Sequence, residues 1–392
     1  MNREDFPMLQ QDMIYFDNGA TCLKPSLLAS TVSEYYNTYS ANAHRGDYDI
    51  SLKVDTKYEQ TRKLVQHFIG AEKTEEIVFT SGATDSMNKL IFGYFRHHLQ
   101  KGDEVLLTKS EHASNILPWF ELQDEIGIVI KYIPLDEQLK VTMQNVKESI
   151  TENTKVISIA HITNVVGDIR PMKEIIEYAH KKNILVVVDG AQSVPHMKYD
   201  VKKLAFSAHK MYGPTGVGVL YGKYELLSNI RPIEFGGGMN SLFNHDGFRI
   251  YNELPELLEA GTPNIAGVIG YGAIIEYINK IGIETIQSYE KELHKYAVEQ
   301  LKKVPNIIIY NEYSESSIIT FNIKDIFAQD LAIYLNKYKI CVRAGNHCAK
   351  ILKDELGIKN TCRMSLAMYN TKEEIDFLVK TLKNPNMREE II

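Results

Sequence analysis

Five short stretches of this 392-residue chain carry side chains whose types could do chemistry together. In the first, Ser81-Gly82-Ala83-Thr84-Asp85 follows a short apolar run and opens a helix. The free N–H groups and positive dipole end of a helix start suit a phosphate. Ser or Thr before a helix is also an ordinary N-cap. In the second, Val186-Val187-Val188-Asp189-Gly190-Ala191-Gln192 puts an acid at the carboxyl end of a buried strand, where open α/β sheets bind ligands. Asp189 could hold a proton on a ring nitrogen there, or simply cap a helix.

The third stretch is Phe206-Ser207-Ala208-His209-Lys210-Met211-Tyr212-Gly213-Pro214. A lone lysine is commonly a solvated surface charge. Lys210 lies between an apolar strand and a Gly-Pro turn. A lysine held against a low-dielectric cleft has a lowered pKa and can form an imine. Ser207 and His209 add donors that could meet a phosphate. The fourth stretch, Glu111-His112-Ala113-Ser114-Asn115, offers in His112 a flat ring to lay on a flat ligand, or else a satisfied structural histidine.

The fifth is Cys341-Val342-Arg343-Ala344-Gly345-Asn346-His347-Cys348-Ala349. Cys341 reads as a small core hydrophobe in an apolar strand. Cys348 follows Gly-Asn-His in a polar loop, and an exposed thiol near Arg and His favours the thiolate. Cys22 and Cys362 have no such setting. The four cysteines are scattered without zinc-like spacing, so no metal site is expected. Taken together, a phosphate cup, a ring-nitrogen acid, a stacking histidine and an imine-forming lysine describe what pyridoxal phosphate requires.

These side chains need a scaffold, and the hydrophobic pattern supplies one. Strands are predicted at 76–80, 104–107, 128–133, 155–160, 184–188, 203–206 and 217–221. Helices are predicted at 56–70, 84–100, 142–149 and 171–182. Alternation of this kind implies βαβ units and a mainly parallel sheet covered on both faces. The stretch 233–255 is rich in Gly and Asn and reads as a long loop. Two long helices, 263–281 and 284–303, follow. Beyond 305, short strands at 306–309, 317–323, 339–343 and 361–366 and helices at 328–338 and 371–383 make a smaller α+β unit. The expected division is a large domain over 15–278 and a small one from 1–14 with 279–392.

Composition narrows the classes. Hydrophobic residues are 44% and charged residues 24%, as in an ordinary globular protein. A net charge of −6 gives no basic field to attract nucleic acid. No apolar run approaches the ~20 residues of a membrane span. The start, Met1-Asn2-Arg3-Glu4-Asp5, is acidic where a signal peptide is basic and then apolar. With few cysteines, a reducing cytoplasm is the expected compartment.

The chain resembles the class V aminotransferase family, fold type I of the pyridoxal-phosphate enzymes, and most closely its group II (Suf-type) cysteine desulfurases, also called selenocysteine lyases. The resemblance runs from Tyr15-Phe16-Asp17-Asn18-Gly19-Ala20-Thr21 to Cys362-Arg363-Met364-Ser365 and Tyr369-Asn370-Thr371, nearly the whole chain. Between them, Ala43-His44-Arg45-Gly46, Val188-Asp189-Gly190-Ala191-Gln192, Ser207-Ala208-His209-Lys210, Ala260-Gly261-Thr262-Pro263-Asn264 and Arg343-Ala344-Gly345-Asn346-His347-Cys348-Ala349 fall in the family's order.

The resemblance implies that Lys210 holds the cofactor covalently, Asp189 pairs with its ring nitrogen, Gln192 reaches its phenolic oxygen and His112 stacks on the ring. It places Ala83, Thr84, Ser207 and His209 at the phosphate, with Thr262 reaching in from the partner of a homodimer. Asn164 and Arg363 would hold the substrate carboxylate, with Arg343, Ala20, His44 and Arg45 nearby. Cys348 would take sulfur from L-cysteine as a persulfide, leaving alanine, and pass it to an acceptor protein for iron–sulfur cluster assembly. The short loop around Cys348 favours group II over the long-loop group. A selenocysteine-specific lyase, or a carbon–sulfur lyase that does not use Cys348, are the alternatives on this fold. Asn346 stands where the family commonly has a second His, Lys350-Ile351 replaces a more usual Gln-Pro, and Gly19 a more usual Ala. None of these departures removes a group with an implied role.

Overall fold

The computed structural model describes residues 3–44, 46–197 and 204–391. Its strands in chain order are β1 (Ile14–Tyr15), β2 (Ile77–Thr80), β3 (Glu104–Thr108), β4 (Val129–Ile133), β5 (Thr154–Ala160), β6 (Leu185–Asp189), β7 (Leu204–Ser207), β8 (Gly218–Tyr221), β9 (Asn240–Phe243), β10 (Arg249–Tyr251), β11 (Ile307–Ile309), β12 (Ile318–Ile323), β13 (Ile340–Cys341), β14 (Arg343–Gly345) and β15 (Thr361–Ser365). Seven of them form one sheet in the order β2-β8-β7-β6-β5-β3-β4. The β7–β6, β6–β5, β5–β3 and β3–β4 pairs are parallel. β8 alone runs against its neighbours, β2 and β7.

The apolar strand sequences are explained by burial on both faces. Ile77, Phe79, Leu106, Ile157, Val186, Val188, Phe206 and Val219 pack into one core. Val78, Val105, Leu107, Val156, Val187, Ala205 and Leu220 pack into another. Alternate residues of each strand thus face opposite helical layers, so apolar side chains are needed at every position. This is the expected mainly parallel α/β sheet.

Beyond Gly282, which has φ +91 and separates the helices Ile265–Ile281 and Ile283–Leu301, a four-stranded antiparallel sheet forms in the order β11-β12-β15-β14. Its own core gathers Phe16, Leu293, Leu301, Phe321, Leu331, Leu335, Met364 and Leu378. The chain start joins this part, because β1 pairs in parallel with β13.

Three local expectations are corrected. The helix expected over 84–100 is Ala83–Leu90, a π-type turn at Ile91–Phe95 and a last turn at Arg96–His98. Gly93 lies in the wide turn, and the Arg231 backbone crosses so close that a Cβ there would stand 2.6 Å from its carbonyl oxygen. The 233–255 loop holds an antiparallel hairpin, β9 with β10, whose exposed Leu242, Phe243, Phe248 and Ile250 gave no half-buried alternation to read. The strand expected at 339–343 is two, β13 and β14, which pair with different partners. Lys203, in the strand expected over 203–206, lies outside the described residues.

Candidate active site

The ends of β3, β5, β6 and β7 open on one cleft. Asp189 is the last residue of β6, and Ser207 the last of β7. His209 and Lys210 follow Ser207 in a single 3₁₀ turn. His112 follows β3, and Asn164 follows β5. Parallel neighbours end at the same edge of the sheet, so the topology alone gathers these groups. They line a cavity of about 220 Å³ together with Ala20, Ala83, Thr84, Gln192, Arg343, His347 and Arg363.

At one end, hydroxyl and amide donors meet. Ala83 donates its backbone N–H to Ser207 Oγ at 2.8 Å, and Thr84 Oγ1 lies 2.7 Å from Ser114 Oγ. Ala83 begins the helix Ala83–Leu90, so the helix start faces the same hydroxyls. This close seating depends on glycine. A Cβ on Gly218 would stand 2.4 Å from the Gly82 Cα.

Burial and charge tune the middle of the cleft. Burial pushes the Lys210 ammonium down to about 8; the Asp189 carboxylate opposes this, and the Arg363 and Arg343 guanidinia add to it. Burial raises the Asp189 carboxyl, while the Ala191 N–H at 2.9 Å and Lys210 pull it back. His112 is pushed down to about 4 by burial first, then by Lys210, Arg343 and Arg363. Its Nδ1 accepts the Ser114 backbone N–H at 3.1 Å, so the neutral ring carries its proton on Nε2. His209 is likewise held down to about 4 by burial, Lys210 and Lys24. Gln192 donates its side-chain N–H to the Gly19 carbonyl at 2.8 Å.

The far wall is Arg363, 1% exposed, which donates to Asp17 Oδ1 and to the Asn164 carbonyl, both at 3.0 Å. Asn164 donates Nδ2 to the His347 carbonyl at 2.6 Å. Arg363 Nε and Asn164 Oδ1 are buried without a hydrogen-bond partner. A donor and an acceptor left open in one wall await a polar ligand.

The cysteine loop closes over this wall. Gly345, His347 and Cys348 all have positive φ, at +131, +53 and +58. Ala349 is buried against Val165, Val166 and Leu352, which seats the loop. The Cys348 carbonyl accepts the Ala113 N–H at 2.8 Å, one residue beyond His112. Cys348 is exposed. Cys22 and Cys362 are buried and Cys341 is partly buried.

Two expected residues lie elsewhere. His44 is exposed and bonds toward Glu59 and Asp55 at 3.5 and 3.8 Å. It lines a second cavity, of about 520 Å³, with Gly261, Pro263 and Glu259. Thr262 is exposed on the same side and does not line its own chain's cleft. Arg45 lies outside the described residues. Conversely, Ser114 and His347 line the cleft without having been singled out. His347 precedes Cys348 and Ser114 lies two residues after His112, and that nearness in sequence is the available signal. Buried His347 donates Nε2–H to the Thr361 carbonyl at 3.0 Å, and burial with Arg363 and Lys353 holds its ring down to about 2.

The family model for class-V aminotransferases matches residues 14–378, and the chain belongs to that family. Class-V aminotransferases are pyridoxal-phosphate enzymes, and pyridoxal 5′-phosphate is the cofactor here; the donor set, the lowered lysine and the open wall atoms fit it. Among relatives, a protein from Halalkalibacterium halodurans named probable cysteine desulfurase is 41% identical over 96% of this chain and 95% of its own length. One of the same name from Staphylococcus aureus is 40% identical over 97% and 95%. The cysteine desulfurase CsdA of Escherichia coli superposes with a TM-score of 0.92 at 35% identity, covering 99% of this chain and 97% of that one. The apo cysteine desulfurase of Thermococcus onnurineus gives 0.93 at 36%, covering 97% and 96%.

Proposed function

We propose that this chain is a group II cysteine desulfurase: L-cysteine and the Cys348 thiol become L-alanine and a Cys348 persulfide. The carrying observation is the Cys348 loop hydrogen-bonded to Ala113, at the mouth of the cleft that holds Lys210 and Asp189. The names of the relatives support it.

In this reading Lys210 holds the cofactor aldehyde, and a pKa near 8 leaves part of the amine free for that bond. Asp189 holds the ring-nitrogen proton, Gln192 reaches the phenolic oxygen, and Ala83, Thr84, Ser207 and His209 take the phosphate. Arg363 would orient the substrate carboxylate with its open Nε–H, and Asn164 with the second hydrogen of the Nδ2 that bonds the His347 carbonyl, Arg343 and Ala20 lining the same cleft. Bound pyridoxal phosphate supplies an electron sink for the substrate's α-carbon. The free Lys210 amine would take the α-proton of the substrate. The Cys348 thiolate attacks the substrate sulfur; the C–S bond breaks, its electrons stay with carbon, and carbon takes up protons to become alanine. His112 would stack on the cofactor ring, and its neutral imidazole, with the proton on Nε2, would be a proton carrier for the substrate sulfur.

The persulfide would pass to an acceptor protein for cluster assembly in the cytoplasm. A homodimer is part of the reading, with Thr262, His44 and Arg45 serving the partner's cleft. The second cavity beside His44 and Gly261, and the exposed Phe235, Phe243 and Phe248, support it. So too is the division into a large domain, 15–278, and a small one, 1–14 with 279–392; the separate core around Phe321 and Leu331 supports it. Mass spectrometry after exposure to cysteine tests the central claim: one added sulfur is expected on the peptide containing Cys348. Sulfide release without that adduct, persisting in Cys348→Ser, would favour a lyase that does not use the thiol.

A further inference from the structure

Beneath the cleft lies an ion pair to which no role has been given. The side chains of Arg170 and Glu111 are both 0% exposed. Glu111 accepts from Arg170 and from Thr108 Oγ1 at 2.6 Å on one oxygen. On the other it accepts from Asn115 Nδ2 at 2.9 Å and the Ala160 N–H at 2.7 Å. Arg170 in turn donates to the Ala160 carbonyl at 3.0 Å, Thr108 Oγ1 at 2.8 Å and Ser110 Oγ at 2.9 Å. Replacing such a pair by apolar residues of equal volume is commonly neutral or stabilising, so stability alone does not account for it. Its bonds are directional, and their directions lead to the cleft.

Glu111 and Asn115 bracket the turn that presents His112. Asn115 is held from its other side, Oδ1 accepting Ser158 Oγ–H at 2.5 Å. Between them, Ala113 holds the Cys348 carbonyl at 2.8 Å. On the opposite flank, the Arg170 N–H bonds the His161 carbonyl at 3.0 Å, and the His161 N–H bonds the Asp189 carbonyl at 2.9 Å. The ends of β3 and β5 therefore meet at one guanidinium, and the end of β6 lies beside them, Asp189 pairing in register with Ala160 and joined to the Arg170 backbone through His161.

We propose that the buried Arg170–Glu111 pair is a positioning device, fixing the His112 turn, and through Ala113 the Cys348 loop, against the strand end that carries Asp189. The inference rests on the roles given above to those three residues. Arg170 and Glu111 touch neither substrate nor cofactor in it; they act through the turn.

The test compares holoenzyme variants. Arg170→Lys keeps the charge but loses the planar fork that reaches Thr108, Ser110 and Ala160 together. Leu301→Ala, a cavity in the small-sheet core, is the control for destabilisation alone. Two readouts are taken: visible circular dichroism per bound cofactor, and the alkylation rate of Cys348 by iodoacetamide, followed on its peptide. In Arg170→Lys both are expected to change about twofold or more, because a small misplacement of the turn moves the ring and the loop together. In Leu301→Ala neither should change. Values for Arg170→Lys equal to those of Leu301→Ala overturn the proposal. If Arg170→Lys does not fold, the triple variant Glu111→Gln/Arg170→Met/Asp168→Asn, which also neutralises the carboxylate 3.5 Å from the Arg170 Nε, is read the same way. Neither readout needs sulfur release, so a wild-type enzyme that gains no sulfur on Cys348 would sink the desulfurase reading while leaving this comparison standing.

Discussion

The backbone N–H of Ala113 donates to the carbonyl of Cys348 at 2.8 Å, so the residue after the cleft histidine also carries the cysteine loop. Two segments 235 positions apart (348 − 113) thereby share one anchor. Proline at 113 would remove that donor alone. Ala113 opens a 3₁₀ turn, and His112 before it has φ −70 and ψ 148, a conformation proline tolerates in its predecessor. Ala113→Pro is expected to cost about 1 kcal/mol of loop anchoring, keep the bound cofactor's visible absorbance, and slow sulfide release about tenfold. Sulfide release at the wild-type rate would show that the bond does not hold the loop.

Cys348→Ser separates cofactor binding from sulfur transfer. The exposed thiol lies outside the donors that gather at Ser207 and Thr84. The variant should bind pyridoxal phosphate normally yet yield little sulfide or alanine from cysteine. Normal alanine formation would remove Cys348 from the reaction.

In the proposed role, Lys210 should make cofactor uptake pH-dependent. Its amine is pushed down to about 8 from an ordinary 10.5. Below pH 8 it is mostly protonated and cannot attack the aldehyde; above, it is mostly free. Uptake of pyridoxal phosphate by the cofactor-free protein should therefore speed up about tenfold between pH 7 and pH 9, then level off. The same depressed value means that the unfolded chain binds the extra proton between pH 8 and 10.5, so this group adds stability to the cofactor-free fold as pH rises through that window. Stopped-flow absorbance reads the uptake. Lys210→Ala should show no imine band at any pH, and a band in that variant would refute the assignment.

Arg363→Lys tests the substrate wall. Lysine can meet Asp17 but cannot also reach the Asn164 carbonyl and leave a further N–H open. KM for cysteine should rise about tenfold or more, with the bound cofactor's absorbance unchanged. An unaltered KM would move the carboxylate site elsewhere.

Gly218→Ala probes the phosphate end. Its Cβ would meet the backbone of Gly82 at 2.4 Å and lift the loop from Ser207. The expected cost is about 1–3 kcal/mol of stability and a weaker grip on pyridoxal phosphate, measured by dialysis and thermal melting. Wild-type affinity would mean that the loop need not sit where it does.

Much of this was legible in order along the chain. The strand Leu185–Asp189 reads directly, because a strand covered on both faces must be apolar at each position and must end where polarity begins. Lys210 and Asp189 are readable for a related reason. Asp189 terminates an apolar run and Lys210 follows one by a single turn, so local sequence already states that charges lie just at or beyond strand ends. Breaks that depend on a distant neighbour were not readable. The π-type turn at Ile91–Phe95 answers the Arg231 backbone. The hairpin of β9 and β10 buries little on either face, so no periodicity marks it. The helix Ser26–Thr38, with only Leu28 and Tyr35 buried, left too thin a stripe.

The amino-acid order by itself determined the mainly parallel sheet, the identity of the chemical groups and, by family resemblance, the cofactor they suit. Hydrophobic period and residue type are local properties, and they survive in a linear string. Only the tertiary structure decided that the Cys348 loop rests on Ala113, that His44 faces away from its own cleft, and that Arg170 ties the ends of β3 and β5 together. Those are contacts between segments far apart in sequence, fixed by how the sheet stacks and where buried polar atoms find partners. A string of residues does not encode such pairings in any one place.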